Sequence, residues 1–182
     1  LYLHISRGVC LFFAALFFFI GFTKTDLANA TAIYKTSPIF LTLGSIFFLK
    51  ETNFLVIKFL TVFLALIGAL IIINPSSSSF SIYSFFPLFA AISLAIFGLI
   101  TRYFGERENP LTSIIYTALT GTILSSFLFA FFDWKPFVIQ DIPFFVVIGT
   151  VSTLGHFLLI KAFQIEEASN LASFSTVVIF FN

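Results

Sequence analysis

Apolar residues run along this chain in long stretches closed by short polar turns, and strict apolar and polar alternation is absent. A bilayer span needs about 20 apolar residues. The runs divide into seven segments, near residues 4 to 23, 27 to 49, 54 to 74, 81 to 101, 110 to 132, 142 to 163 and 168 to 182. Backbone groups in hydrocarbon must pair within their own helix or in a closed barrel, and continuous runs lack the two-residue period of a barrel. The pattern predicts an all-α polytopic membrane helix bundle with about seven helices visible, the seventh too short for a full span.

Residues 14 to 40 recur at 154 to 180. At this offset Phe17, Ile20, Ala28, Ala32, Thr36, Ile39 and Phe40 meet Phe157, Ile160, Ala168, Ala172, Thr176, Ile179 and Phe180. So narrow an alphabet gives roughly three such identities by chance. The offset crosses five segments, and an odd number reverses direction across a bilayer, which is the design of an inverted-repeat carrier. Ala28, Ala32 and Thr36 share one helix stripe, so a packing surface is expected to be common to both copies.

Composition agrees with a lipid setting: 59% of residues are hydrophobic and 9% charged, with a mean hydropathy of +1.11, whereas soluble domains carry about a quarter charged residues. The net charge of +1 in short loops offers no basic patch for nucleic acid. Cys10 is the single cysteine and has no intrachain partner. The chain has no methionine, opens on Leu1 before a span and stops at Asn182 inside an apolar run, so it is expected to be a fragment. The breaks at Ser76 to Ser79, Arg102 to Pro110 and Asp133 to Pro143 are too short for a soluble domain. Arg7, Lys50, Lys58, Arg102, Arg107 and Lys161 fall on one side, against Lys24 and Lys135 on the other. That bias sets the start of the first visible helix on the cytoplasmic side of an inner (cytoplasmic) membrane.

Lys35 lies eight residues into the second segment, about 12 Å deep, where an ammonium costs several kcal/mol without water or partners. Thr31, Lys35, Pro38, Thr42 and Ser45 form one polar seam on that helix. Pro38 removes the donor that would meet the carbonyl of Tyr34, so a helix break is expected at the depth of Lys35. On the sixth segment Gly149, Ser152, Thr153 and His156 make a second small or polar face. His156 titrates near physiological pH when unperturbed, which suits a coupling proton or a substrate hydrogen bond. Tyr116 and Thr120 stand one turn apart on the fifth segment. The substrate-binding candidates are therefore Thr31, Tyr34, Lys35, Pro38, Thr42, Tyr116, Ser152 and His156. Lys161 is expected to snorkel outward without a site role. Small pairs, Ala65 with Ala69, Ala91 with Ala95 and Gly121 with Ser125, are expected to let helices approach closely.

These residues resemble the EamA-type transporters of the drug/metabolite transporter superfamily, on Arg7 with Gly8 opening a helix, the run from Asp26 to Phe40, and Lys50 with Glu51. The likeness continues in the run from Ile67 to Pro75 and in that from Leu154 to Phe163 with the acidic turn after it. The resemblance implies ten helices in two inverted repeats of five. Residues 1–74 would be the remainder of the first repeat (helices 3 to 5) and 81–182 a truncated second (helices 6 to 9). Val178 stands where the first copy has Pro38. It also implies a secondary transporter of small organic metabolites, not an enzyme, without cofactor or metal. Its partners would be a small-molecule substrate, the lipid bilayer and a candidate homodimer mate. The stretch around His156 is similar to members likened to S-adenosylmethionine uptake proteins. Two other classes compete. A seven-helix receptor or pigment fits the segment count but lacks a lysine in the seventh segment. An intramembrane hydrolase using Ser152 and His156 lacks a group to orient the histidine.

Overall fold

The computed structural model describes residues 2–53, 55–73, 81–104, 108–129, 131 and 138–177. Among them run eight α-helices: α1 (Tyr2–Lys24), α2 (Leu27–Tyr34), α3 (Ser37–Phe48), α4 (Leu55–Ile73), α5 (Phe85–Phe104), α6 (Pro110–Phe129), α7 (Ile142–Ile165) and α8 (Ala168–Val177). The described residues contain no strand. Among the described residues four helical stretches, Tyr2–Lys24, Ile82–Phe104, Pro110–Phe129 and Ile139–Ile165, are long and apolar enough to cross a bilayer. The all-α polytopic bundle is thus the observed architecture.

The second predicted segment is broken, as Pro38 requires. Helix α2 stops at Tyr34, and the amide of Thr36 reaches back three residues to the Ile33 carbonyl at 3.0 Å. The amide of Ile39 then bonds to Thr36 at 2.9 Å, so the chain tightens into a turn at Lys35 and Thr36 before α3 resumes. Helix α1 is central and packs mainly on α5 and α6. Two glycines permit this: a Cβ on Gly8 would lie 2.7 Å from Thr120 Cβ, and one on Gly21 2.4 Å from Pro87 Cδ. Helix α3 fits between α5 and α8. Ala91 and Ala95 are buried as expected. A Cβ on Gly121 would meet nothing within 4 Å outside its own helix, and Gly121 lines an open groove with Ser125 instead of a helix contact. The side chains of Ala65 and Ala69, and residues 74–80, 105–107, 132–137 and 178–182 with Arg107, Lys135 and Val178, lie outside the described residues.

The helix boundaries show a matching spacing one residue longer than the sequence offset of 140: α1 ends at Lys24 and α7 at Ile165, α2 starts at Leu27 and α8 at Ala168. Both offsets are 141 residues (165 − 24 and 168 − 27). Helices α1 and α7 run oppositely, since the start of α1 and the end of α7 both meet Glu108. The shared packing stripe is a partial match. Ala168 and Ala172 are buried, but in α2 the buried residues are Ala30 and Ile33, while Ala28 is exposed. Thr36, the third residue of the stripe, is buried, so the stripe is covered in α8 and only in part in the first copy.

Two of the cations assigned to one side, Lys58 and Arg102, meet at one end of the bundle with Glu51 and Glu167. Glu51 Oε1 accepts from Arg102 Nε at 3.0 Å, and its carboxylate faces the start of α8, 3.3 Å from the amide of Ala168 and 3.5 Å from that of Ser169. Arg102 also donates to the Phe163 carbonyl at 2.9 Å. Lys58, 3% exposed, pairs with Glu167 at 2.7 Å and donates to the Glu51 carbonyl at 3.0 Å. Asn53 donates to the other Glu167 oxygen at 2.5 Å. Burial pushes the Glu167 carboxyl up, but the bonds from Lys58 and Asn53 and the charges of Lys58 and Arg102 outweigh it and hold the group below the usual carboxylate range.

Candidate functional site

A cavity of about 220 Å³ opens between α1, α5, α6 and α7. Its wall consists of Leu11, Phe97, Ile114, Thr117, Ala118, Ser152, Thr153, His156 and Ile160. The small or polar face on α7 exists because Ser152, Thr153 and His156 fall within four residues and so turn to one side. Thr153 spends its hydroxyl on the Gly149 carbonyl at 2.7 Å. The His156 ring stands 6.1 Å from Phe97, tilted by 35°. A second cavity of about 150 Å³ lies between Ser37, Pro38 and Leu41 of α3, Leu94, Ala95, Phe97 and Gly98 of α5, Leu159 and Phe163 of α7, and Leu171 of α8. Phe97, 2% exposed, belongs to both walls.

Of the residues singled out from sequence, Ser152 and His156 line the larger cavity and Pro38 the smaller. Thr42 and Ser45 are buried in the faces of α3, with the Ser45 hydroxyl donating to the Thr42 carbonyl at 2.9 Å. Tyr34 packs on Phe18 at 4.9 Å. Lys35 and Thr31 are half-buried, and neither lines either of these two cavities. Tyr116 faces away from the larger cavity's wall and stacks on His4 at 5.0 Å, while its carbonyl accepts the Thr120 hydroxyl at 2.8 Å. The structure therefore does not bring Lys35, Tyr116 and His156 into one chamber. Lys161 is exposed.

Two groups escaped sequence reasoning. Arg7, 1% exposed, lies inside α1, where Nη2 donates to the Ser113 carbonyl and to Thr117 Oγ1 at 2.8 Å. Its guanidinium carbon stands 5.6 Å from the centre of the Phe97 ring, a cation-π contact. One turn earlier, His4 is buried between Phe104 at 4.7 Å and Tyr116 at 5.0 Å, with Nε2 3.5 Å from Glu108. The logic that singled out Lys35, a cation several residues inside an apolar run, applies equally to Arg7.

Among the described residues Ser152 and His156 share no hydrogen bond, and no side chain orients the imidazole. Neither do those residues hold a cluster of potential metal ligands.

A helical bundle with several apolar crossings, a charged end and a half-open cavity between its helices defines a polytopic membrane protein. Residues 81–182 match the EamA-like transporter family, and the chain belongs to that family. It is 26% identical over 173 residues to the S-adenosylmethionine uptake transporter of Rickettsia bellii (strain RML369-C), covering 95% of this chain and 59% of that protein. The riboflavin transporter of Brucella anthropi is 28% identical over 177 residues (94% and 62%). The pseudopaline exporter of Pseudomonas aeruginosa (strain UCBPP-PA14) is 29% identical over 181 residues (97% and 62%). The chain thus spans about three fifths of the length of these relatives. No solved structure matches.

Proposed function

We propose that the whole protein is a secondary carrier of small organic metabolites in the cytoplasmic membrane, with the start of α1 on the cytoplasmic side. The observation that carries this reading is the cavity between α1, α5, α6 and α7, which sets His156, Ser152 and Thr117 among apolar walls. Pockets of that make-up receive organic solutes, the apolar walls taking the carbon skeleton and the few polar groups fixing its orientation. The opposed directions of α1 and α7 and their matching boundaries support two inverted repeats, residues 1–74 and 81–182, that rock about this cavity. The break at Lys35 and Thr36 supplies a joint beside the smaller cavity, and Lys35 draws anionic solutes toward it.

The named relatives act on S-adenosylmethionine, riboflavin and pseudopaline, so these are the first solutes to offer. The test is uptake and efflux in vesicles carrying the full-length gene product, with His156→Ala and Lys35→Ala beside wild type. Flux that falls at least about tenfold in His156→Ala supports the cavity as the pathway. Undiminished flux in Lys35→Ala removes Lys35 from the mechanism. A chamber reached from both sides in turn also fits a homodimer or a monomer, and the mass of the solubilised protein decides between them.

A further inference from the structure

We propose that the Arg7 guanidinium, behind the wall of the larger cavity, is the receiving group for a carboxylate on an amino-acid-sized part of a small organic solute.

Arg7 is a cation withdrawn from solvent without an ion pair. Among the described residues no carboxylate lies within 4 Å of it. A guanidinium has five N–H donors. Nη2 uses two, on the Ser113 carbonyl and Thr117 Oγ1, while Nε and Nη1 are buried and without partners. Glu108, held by His4, acts on Arg7 only through space, and a buried charge with no direct counter-ion and two nitrogens unpartnered is unfavourable unless something else supplies the missing partners. The two side chains that hold it, Thr117 by hydrogen bond and Phe97 by its ring, are themselves part of the cavity wall. Leu11, one turn along α1 on the same face, lines the cavity too. One layer of side chain therefore separates an unsatisfied cation from the space a solute would fill, and a turn of Thr117 away from Arg7 uncovers it.

The chemistry of the occupant follows from these groups. A single cation balances a monoanion, and arginine is matched in geometry to a carboxylate. Leu11, Ile114 and Ile160 offer apolar surface for the carbon skeleton, and Ser152 and His156 stand ready for polar substituents. At about 220 Å³ the cavity is smaller than ordinary organic-ligand pockets, so it takes an amino-acid-sized part of a solute.

This inference deepens the carrier reading, but binding tests it without transport. The purified full-length protein is heated with matched solutes that differ only at one end: methionine and methioninamide, phenylalanine and phenylalaninamide, S-adenosylmethionine and its decarboxylated form. At least one carboxylate is expected to raise the melting midpoint, with its partner needing about tenfold higher concentration or more for the same shift. Arg7→Gln is expected to erase that preference and Arg7→Lys to keep only part of it. If no carboxylate is preferred in wild type, or if preference persists in Arg7→Gln, the proposal is overturned. Should Arg7→Gln fail to fold, an undiminished preference in Arg7→Lys overturns it equally. Preferential binding without flux would remove the carrier and leave the anion site. Flux without carboxylate preference would do the reverse.

Discussion

Glu51 ties three helices together at the charged end, and its removal should be among the costliest changes outside the apolar core. The carboxylate, 9% exposed, takes the Arg102 bond at 3.0 Å and lies 3.3 to 3.5 Å from the first amides of α8 and 3.4 Å from the Ser169 hydroxyl. A hydrogen bond to a charged group is worth about 1.5–3 kcal/mol. The contacts at 3.3 to 3.5 Å are long and act mainly as an anion at a helix N-terminus, worth about 0.3–1 kcal/mol. Arg102 keeps its bond to the Phe163 carbonyl, so its guanidinium is not left wholly unpartnered. The sum predicts a loss of about 2–4 kcal/mol for Glu51→Ala. Glu51→Gln keeps the shape and loses the charge, and should cost about half as much. Thermal unfolding of the full-length protein in detergent, with ligand-free wild type as reference, measures both. A Glu51→Ala midpoint equal to wild type would refute the argument, since the carboxylate would then be a surface charge of no consequence.

Three further outcomes follow from the same packing. Gly21→Ala would set a methyl 2.4 Å from the rigid ring of Pro87, so it should cost about 1–3 kcal/mol and lower the melting midpoint. Lys50 holds a left-handed backbone, φ 56°, and Lys50→Gly should raise stability by up to about 1 kcal/mol by the same measurement. Because folding lowers the Glu167 value, its stabilisation is complete above the ordinary 4.5 and fades as the pH falls below that through the folded value. Wild type should therefore lose more stability than Glu167→Gln between pH 7 and acid conditions, and parallel curves would contradict the pairing.

Much of the fold was legible because lipid leaves few choices. Apolar run length marked the crossings, and the missing amide of Pro38 marked the break at Lys35 and Thr36. Counting charges by side gathered Lys58 and Arg102 at one end, where the structure pairs them with Glu167 and Glu51. Those pairings were not legible: Glu51 finds Arg102 51 residues on, and Lys58 finds Glu167 109 residues on. The face of His156 was read from helical spacing and does line a cavity. Helical spacing gives the side Lys35 shares with its own helix and says nothing of which helix lies opposite; the structure sets it half-buried at the break, apart from the wall beside His156. Arg7 was counted as a loop charge near a segment end, although α1 begins five residues earlier at Tyr2 and buries it. Tyr116 shares that cause, since its partner His4 comes from the other end of the sequence.

The central claim is that solute passes through the cavity beside His156. Its most direct test is flux in liposomes reconstituted with the full-length protein, comparing wild type with Ser152→Trp, which fills that cavity from α7 without touching the charged end. Flux in wild type that disappears in Ser152→Trp, at an unchanged melting midpoint, is the predicted result. Equal flux through the filled variant would contradict it.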